Sequence, residues 1–493
     1  MTATELCVTV TGASMAELLD RRDRVSGADL VELRLDGVAG LDVARALAGR
    51  RLPVIATCRP VWEGGCFQGS EAERRAVLEQ ALAAGAEYVD VEFRASFWRE
   101  LVAAGGPRVV ISRHDFDGVP ADLRDLVREM ARTGAGVVKV AVMAHRLGDV
   151  LALRGLADQA PRLVAIAMGE AGLLSRVLAS RFGSAWTYAG DAVAPGQRPA
   201  PEYRALGFGR VSDGTSIYGV VGRPVAHSLS PAMHNAAFVA AGLDAVYLPL
   251  AAADFADFLE VAGALGLAGA SVTAPFKLDA FAAAAPDDDD SRLTGSANTL
   301  RRDGGRWLAR NTDVAGFLAP LDLAGAVDGR RATVLGAGGA ARAAIRGLRA
   351  RGAAVRVSAR RNEAGARLAE EMGVGTAPWP PAGEWDLLVN ATPVGTWPDV
   401  ERSPVPGLAF SGRLAYDLVY NPVETRFLRD ARAAGLTTID GLEMLVAQAR
   451  EQFEWWTGRP APARVMRDAA LAALAFQASR AAGAPGHAHA VTD

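Results

Sequence analysis

One stretch constrains the fold more than any other: Gly336-x-Gly338-x-x-Ala341, set within Thr333-Val-Leu-Gly-Ala-Gly-Gly-Ala-Ala-Arg342. The apolar run Ala332 to Leu335 predicts a strand leading in, and the Ala-rich pattern beyond predicts a helix leading out. In that context the pattern reads as the dinucleotide fingerprint in its G/A form, the alternative being a glycine-rich turn of another α/β unit. Gly336 permits the tight turn, Gly338 lets the backbone approach a pyrophosphate, and Ala341 keeps helix close to strand. Ala337, Gly339 and Ala340 complete the expected cofactor loop, where the N–H groups of a helix N-terminus meet phosphate. The next strand, Ala354-Val-Arg-Val-Ser358, ends without an acid to hold a ribose 2′-hydroxyl and runs into Arg360-Arg361. Two cations there suit a 2′-phosphate, so the expected cofactor is NADP(H) rather than NAD.

At 493 residues the chain has room for two or three domains. Half its residues are hydrophobic and its net charge is −3, which gives no electrostatic reason to expect nucleic acid or an anionic membrane as partner. Cys7, Cys58 and Cys66 are too few for a disulfide framework and match no zinc spacing. The six histidines form no HExxH-type pair, so no metal is expected. With neither a signal pattern nor a membrane-length apolar run, a cytoplasmic protein is expected.

The first half carries eight β-like runs: Leu6–Val10, Leu30–Leu35, Val54–Cys58, Tyr88–Phe93, Val109–Ser112, Val137–Val142, Leu163–Ala167 and Trp186–Ala189. Their spacing of about 20 to 30 residues predicts repeated βα units, and eight of them predict a closed (β/α)8 barrel. Polar residues fall at the strand ends, where a barrel enzyme places its chemistry. Alternation puts Glu32, Arg34 and Asp36 on one face; Arg59 and Glu63, His114 and Asp115, Arg176, and Gln197 follow later strands. Lys139 lies inside Val137-Val-Lys-Val-Ala-Val142. There it either loses solvation, which lowers its pKa and suits an amine nucleophile, or snorkels from the strand end or pairs with a carboxylate. His114 alone reads equally as a buried histidine bonded to backbone, and the arginines as salt-bridge partners; their convergence on one rim favours a site.

Together Glu32-x-Arg34, Arg59 with Glu63, His114-Asp115-Phe116, Lys139-Val-Ala-Val-Met143, Ser175-Arg176 and Pro195-Gly-Gln197 resemble type I 3-dehydroquinate dehydratase over about residues 5 to 205. The resemblance implies that Lys139 forms an imine with the C3 ketone of 3-dehydroquinate. It implies that His114 takes the C2 proton and protonates the departing hydroxyl, with Glu63 orienting or polarising His114. Arg176 is expected to clamp the substrate carboxylate, with Glu32, Arg34, Arg59 and Gln197 binding hydroxyls or shaping charge. One departure is Val193, where the family usually has serine, which puts one substrate hydrogen bond in doubt.

Ala200 to Gly214 is Gly- and Pro-rich without clear periodicity and predicts a short junction. Beyond it, the strand Ile217–Val221 enters a loop with Ser228 and Ser230. Ser230 alone reads as well as the N-cap of the helix that follows, in whose first turn Pro231 sits well. The run Asp287 to Asp290 reads most simply as a solvated loop. Past Arg464 one more helix is expected, then a frayed tail; a metal site at His487 and His489 in that tail is disfavoured against disorder.

Ser228-x-Ser230-Pro231, Val272-Thr273-x-Pro275-x-Lys277, Ala297-Asn298-Thr299, Asn311-Thr312-Asp313, the fingerprint, Asn390-Ala-Thr392-Pro393, Asp417-Leu-Val-Tyr420-Asn-Pro422 and Gly441-Leu-x-Met-Leu-Val-Ala-Gln448 resemble shikimate dehydrogenase over about residues 216 to 475. The resemblance implies that Lys277 and Asp313 are the acid–base pair at the reacting carbonyl. Ser228, Ser230, Thr273, Asn298, Tyr420 and Gln448 are expected to hold the substrate, and Asn390, Thr392, Leu418 and Gly441 to line the nicotinamide side. Departures are Ser271 for the usual Asn, Ala359 in place of Asn ahead of Arg360-Arg361, and Val314 where Gly is common.

The fold class expected is α/β: an N-terminal (β/α)8 barrel, then an α/β substrate lobe and a Rossmann-type NADP-binding lobe. The expected division is a barrel at 1–208, a linker at 209–215, a substrate lobe at 216–318, a cofactor lobe at 319–440, completing helices at 441–480 and a disordered tail at 481–493. Both halves in one chain look like the fused dehydratase–dehydrogenases of the shikimate pathway. The expected partners are the small molecules 3-dehydroquinate, 3-dehydroshikimate and shikimate, with no nucleic acid and no membrane; oligomeric state is not readable. A quinate-type dehydrogenase of the same fold is less favoured because Ser230 and Thr273 are both retained. A non-catalytic sensor built from these domains would be expected to lose Lys139, His114, Lys277 or Asp313, and all four are present.

Overall fold

Eight short parallel strands close on themselves in the first part of the computed structural model, which describes residues 4–191, 193–325 and 327–483. They are β1 (Glu5–Val10), β2 (Leu30–Arg34), β3 (Val54–Thr57), β4 (Tyr88–Glu92), β5 (Val109–Asp115), β6 (Val137–Met143), β7 (Leu163–Met168) and β8 (Trp186–Ala189). Neighbours pair in the order β7-β6-β5-β4-β3-β2-β1-β8. The seam between β7 and β8 is held by a bridge at Leu163 and Ser184. There Ala185 N–H donates to Leu163 O at 2.7 Å, and the Ser184 hydroxyl accepts from Ala165 N–H at 2.9 Å. A side chain thus satisfies backbone groups that a missing ladder would otherwise leave unpaired. The strands match the expected runs to within a residue or so, except that β5 extends through His114 to Asp115.

The period of two along a strand stacks the barrel interior in rings. Cys7, Leu30, Ile55, Tyr88, Val110, Val137, Val164 and Trp186, one from each strand, form an apolar floor. The residue two further along each strand is Thr9, Glu32, Thr57, Asp90, Ser112, Lys139, Ile166 or Tyr188, and all eight are buried. Seven of these eight are polar, so a polar layer rests directly on an apolar floor.

Two compact units account for the chain: Met1–Ser216 with Asp244–Gly266, and Ile217–Leu243 with Leu267–Asp493. In the first unit the helix Phe255–Leu265 places Asp257 to accept from the N–H groups of Leu147 (2.9 Å) and Gly148 (2.7 Å).

The second unit holds two sheets. In one, the strand Ser216–Val221 pairs parallel with Gly269–Val272, which pairs antiparallel with Thr299–Asp303, itself hairpinned to Arg306–Arg310. The other is a six-stranded parallel sheet ordered Gly375–Thr376, Ala354–Ser358, Arg331–Leu335, Leu387–Asn390, Leu414–Asp417, Thr437–Ile439. Numbered along the chain that order is 3-2-1-4-5-6, the doubly wound arrangement, with its crevice at the carboxyl ends of the central strands. Gly316 lets the helix Thr312–Ala324 lie against Gly441–Thr457, since a Cβ there would sit 2.7 Å from that of Gln448.

The acidic run is not a solvated loop. Asp288 caps the helix Asp289–Thr294, Asp287 pairs with Arg310 at 2.6 Å, and Asp290 with Arg346 at 3.0 Å. The N-cap side chain and the arginines supplied by other elements give these carboxylates their partners. The final helix, Ala463–Gly483, reaches into the stretch expected as tail, and His487 and His489 lie outside the described residues. No helix among the described residues is long and apolar enough to cross a membrane.

Candidate active sites

The carboxyl ends of the barrel strands enclose a pocket of about 150 Å³. Lys139 rises from the polar ring, 4% exposed, with its ammonium 2.9 Å from Asp90 Oδ2 and 3.4 Å from Glu32 Oε1. It also lies over the Tyr188 ring, 4.2 Å from the centroid. Lys139 is thus both withdrawn from solvent and paired with a carboxylate, so burial and ion pairing coexist at this amine. Glu32 is itself fixed by the hydroxyls of Thr9 and Thr57, each donating at 3.0 Å.

His114, near the end of β5, meets Glu63 through Nδ1 and Oε2 at 2.9 Å. It is not bonded to backbone in place of a side chain. Burial, with Arg59 and Lys139 nearby, holds the imidazole well below its ordinary pKa, so it stands neutral and able to accept a proton. Burial pushes the Glu63 carboxyl up to about 7 against the opposing pull of Arg59.

Arg59 spends its guanidinium on Asp90, Glu92 and Ser112, at 2.7 to 2.9 Å, which fits shaping of charge. Arg34 grips Asp36 through two 2.8 Å bonds. Arg176 is different. It is 1% exposed, donates to the carbonyls of Tyr188 (3.2 Å) and Pro195 (3.3 Å), and has a buried Nε without a partner and no ion pair among the described residues. A buried guanidinium lacking a carboxylate is costly unless an anion arrives. Its helix, Leu173–Val177, is tied to β7 by Ser175, whose hydroxyl accepts from Ala167 N–H at 2.9 Å. Gly196 keeps φ at +72°, and a Cβ there would lie 2.3 Å from Gly169 O. This turn aims Gln197 inward, where its Nε2 donates to Thr9 at 3.1 Å. Val193 lines the same pocket.

In the second unit, Lys277 opens the helix Lys277–Ala283 and its ammonium lies 2.5 Å from Asp313 Oδ2. Asp313 stands in the first turn of Thr312–Ala324, and Asn311 caps that turn at 3.2 Å. Asn298 donates to Asp313 Oδ1 at 2.8 Å, so both carboxylate oxygens are held. Asn298 also reaches Gln448 at 3.5 Å, and Gln452 holds the Gln448 carbonyl at 2.7 Å. Ser228 and Thr273 follow adjacent parallel strands, in register at Val221 and Val272. Leu229, not Ser230, occupies the helix N-cap, and Ser230 is buried in the first turn with its N–H on Ser228 Oγ at 3.3 Å.

Gly336 has φ at +112°, and a Cβ there would lie 3.0 Å from Ala391 O at the switch point. Gly338 is the N-cap of Gly339–Ala350; it makes no side-chain cap, and a Cβ there would meet open space. The helix start therefore offers free N–H donors to an anion. A Cβ at Gly339 would lie 3.0 Å from Lys277 Cδ, which places the anion-binding turn beside Lys277. Arg360 and Arg361 are exposed beyond Ser358 with no ion pair among the described residues. Asn390 is fully buried, donating to Asp417 at 2.8 Å and accepting from Thr392 N–H at 3.0 Å. Leu418 N–H donates to Asn390 O at 2.9 Å, and Gly441 approaches the Leu418–Val419 backbone too closely for any Cβ. Tyr420 is half-buried, and burial raises its phenol.

Residues 6–206 match the family model for type I 3-dehydroquinase. Residues 220–300 match the shikimate dehydrogenase substrate-binding domain, and 441–471 the shikimate 5′-dehydrogenase C-terminal domain. The chain is 35% identical over 479 residues to the chloroplastic bifunctional 3-dehydroquinate dehydratase/shikimate dehydrogenase of Arabidopsis thaliana, covering 88% of this chain and 79% of that one. The chain belongs to this bifunctional family. It is also 46% identical over 268 residues to the NADP(+) shikimate dehydrogenase of Halobacterium salinarum (strain ATCC 29341 / DSM 671 / R1), covering 52% of this chain and 99% of that one. A solved shikimate dehydrogenase in complex with NADP+ is similar at 32% identity and a TM-score of 0.50, covering 54% of this chain and 97% of that structure.

Two signals in this bifunctional dehydratase–dehydrogenase were open to sequence reasoning and went unread. Of its 53 lysines and arginines only two are lysines, Lys139 and Lys277, one in each site. Where a plain cation serves, the chain uses arginine; an amine that can lose its proton appears only at these two places. The second signal is the polar ring itself. Asp90 and Tyr188 lie two residues beyond apolar floor positions, as Lys139 does, and flank its ammonium. Among the described residues no cluster of three His, Cys, Asp or Glu side chains forms a metal-type group.

Proposed function

We propose that the barrel dehydrates 3-dehydroquinate to 3-dehydroshikimate through an imine on Lys139, and that the second unit reduces 3-dehydroshikimate to shikimate with NADPH. The observation that carries this reading is the placing of the chain's two lysines, each buried or half-buried beside a carboxylate in one of the two sites.

In the barrel, the Lys139 amine adds to the C3 ketone and water leaves, so the ammonium and the ketone become an iminium and water with no net change in charge. The iminium draws electrons from C2, and neutral His114, steadied through Nδ1 by Glu63, takes the C2 proton. His114 then returns that proton to the departing hydroxyl. Arg176 receives the substrate carboxylate, the anion its buried guanidinium lacks. Glu32, Arg34, Arg59 and Gln197 hold hydroxyls or set the local charge.

In the dehydrogenase, the residues fit NADP(H): a helix N-terminus at Gly338 with no side-chain cap and open space before it, and two exposed cations, Arg360 and Arg361, without ion pairs among the described residues. Ala337, Gly339 and Ala340 share the phosphate turn, and Asn390, Thr392, Leu418 and Gly441 line the nicotinamide side. NADPH, when bound, supplies the hydride. Lys277 donates the proton that the new alkoxide oxygen needs, and Asp313 holds the ammonium in place. Ser228, Ser230, Thr273, Asn298, Tyr420 and Gln448 hold the carboxylate and hydroxyls. We place the enzyme in the cytoplasm, a reading supported by its three unpaired thiols, which suit a reducing compartment.

The test is substitution by the cation that the chain uses everywhere else. Lys139→Arg should abolish dehydration and spare reduction, and Lys277→Arg should lower reduction by about 10²–10⁴-fold and spare dehydration. Retention of both activities in both variants would refute the reading.

A further inference from the structure

We infer that Asp90 is the counter-ion of the Lys139 imine, the buried carboxylate that keeps the imine nitrogen protonated while C2 loses its proton. The inference rests on the imine reading above and goes beyond it, because it names the group that makes the imine an effective electron sink.

The geometry separates the two oxygens of Asp90. Oδ1 accepts from Arg59 Nη2 at 2.9 Å and from the Ser112 hydroxyl at 2.6 Å. Oδ2 is turned to Lys139 Nζ at 2.9 Å. Glu32 is the weaker partner of that nitrogen, at 3.4 Å, and its oxygens already take the Thr9 and Thr57 hydroxyls. Asp90 is fully buried, so no water competes for the contact. Closing the imine replaces an ammonium by an iminium at the same nitrogen, with water released and charge conserved. One N–H remains on that nitrogen, and Oδ2 is the acceptor already in place for it. A neutral imine withdraws electrons poorly, so dehydration depends on keeping this proton.

The groups that face the pair are Cys7 on β1, Glu32 on β2, Arg59 beyond β3, Glu92 on β4, His114 on β5 and Tyr188 on β8. Burial alone would raise the Asp90 carboxyl, but Arg59 and Lys139 outweigh it and hold the group below its ordinary range. Burial pushes the Cys7 thiol and the Tyr188 phenol well up, so neither adds a charge near neutral pH.

Borohydride reduces an iminium far faster than a neutral imine, and in this chain a lysine adduct can form only on Lys139 or Lys277. The full-length protein is incubated with 3-dehydroquinate and borohydride across a pH series, and the Lys139 peptide is weighed. Wild-type trapping should persist above the pH at which the imine of the same ketone with free butylamine ceases to trap. In Asp90→Asn the alkaline fall of trapping should move down by about 1–3 pH units, with kcat for dehydration falling in parallel and KM little changed. Asp90→Glu should restore much of the wild-type profile. Coincident profiles for wild type and Asp90→Asn, or equal displacement in the Asn and Glu variants, would overturn the inference. Should Asp90→Asn fail to fold, the comparison of wild type with butylamine decides, since wild-type trapping that fails at the same pH as the free imine also overturns it. Absence of any adduct on wild-type Lys139 would instead sink the imine reading itself.

Discussion

The Lys277 ammonium lies 2.5 Å from one oxygen of Asp313, while the other oxygen takes the Asn298 amide at 2.8 Å. The carboxylate is thereby fixed at the start of a helix, where the N-terminal dipole favours its charge. Asp313→Asn keeps the shape and removes the charge that pairs with the lysine. Its kcat for NADPH-dependent reduction should fall by about 10²–10⁴-fold at neutral pH, with dehydration unchanged in the same preparation. Steady-state assays of the two half-reactions check this.

Glu63 and His114 give the barrel its pH dependence. The proposed base is neutral His114 with Nδ1–H donating to ionised Glu63, and burial places the Glu63 carboxyl at about 7. Lowering the pH through that value protonates Glu63 and should lower kcat for dehydration. In Glu63→Gln that acid limb should vanish and the plateau should drop by about 10²-fold. A pH–rate profile of both forms is the measurement.

Arg360 and Arg361 stand beyond the second strand of the cofactor sheet without ion pairs among the described residues. Charge-assisted bonds to a 2′-phosphate contribute about 1.5–3 kcal/mol each. Replacing both by Ala should raise KM for NADPH by about 10–100-fold or more and leave the weaker use of NADH nearly unchanged. An equal loss with both cofactors would place the 2′-phosphate elsewhere.

Asp417 is fully buried, with hydrogen bonds from Asn390, Val419 N–H and Thr425 but no ion pair among the described residues. Burial raises its carboxyl to about 6 from an ordinary 3.8. A raised folded value means that its contribution is fully present below the unfolded pKa and is lost as pH rises through about 6. The loss is roughly 3 kcal/mol. Asp417→Asn should therefore be least favourable relative to wild type under acid conditions and should gain on it as pH rises. Thermal midpoints of the dehydrogenase transition across that window report the crossing.

How far the sequence could be read depends on how far each signal is local. The barrel strands were legible because runs such as Val137–Val142 are β-branched and buried on both faces, and the cofactor turn because its glycines act within a few residues. The partners of Lys139 were not, since Asp90 is 49 residues away in the chain and only barrel closure makes them neighbours. Gln452 was missed for the same reason: it fixes Gln448 one helical turn away and reaches Thr299 and Ser271 through the fold. The Asp287–Asp290 run was misread because its cations, Arg310 and Arg346, come from other elements. Arg176 was expected to clamp a carboxylate, and its buried setting, without an ion pair among the described residues, emerges only from packing.

The most direct test of the whole account is a coupled assay of the purified chain with 3-dehydroquinate and NADPH, following enone absorbance, NADPH oxidation and product identity together. The account predicts shikimate in step with the NADPH consumed, with Lys139→Ala stopping the sequence before the enone and Lys277→Ala stopping it at the enone. Enone accumulation without NADPH oxidation by the wild-type chain, or no turnover at all, would contradict it.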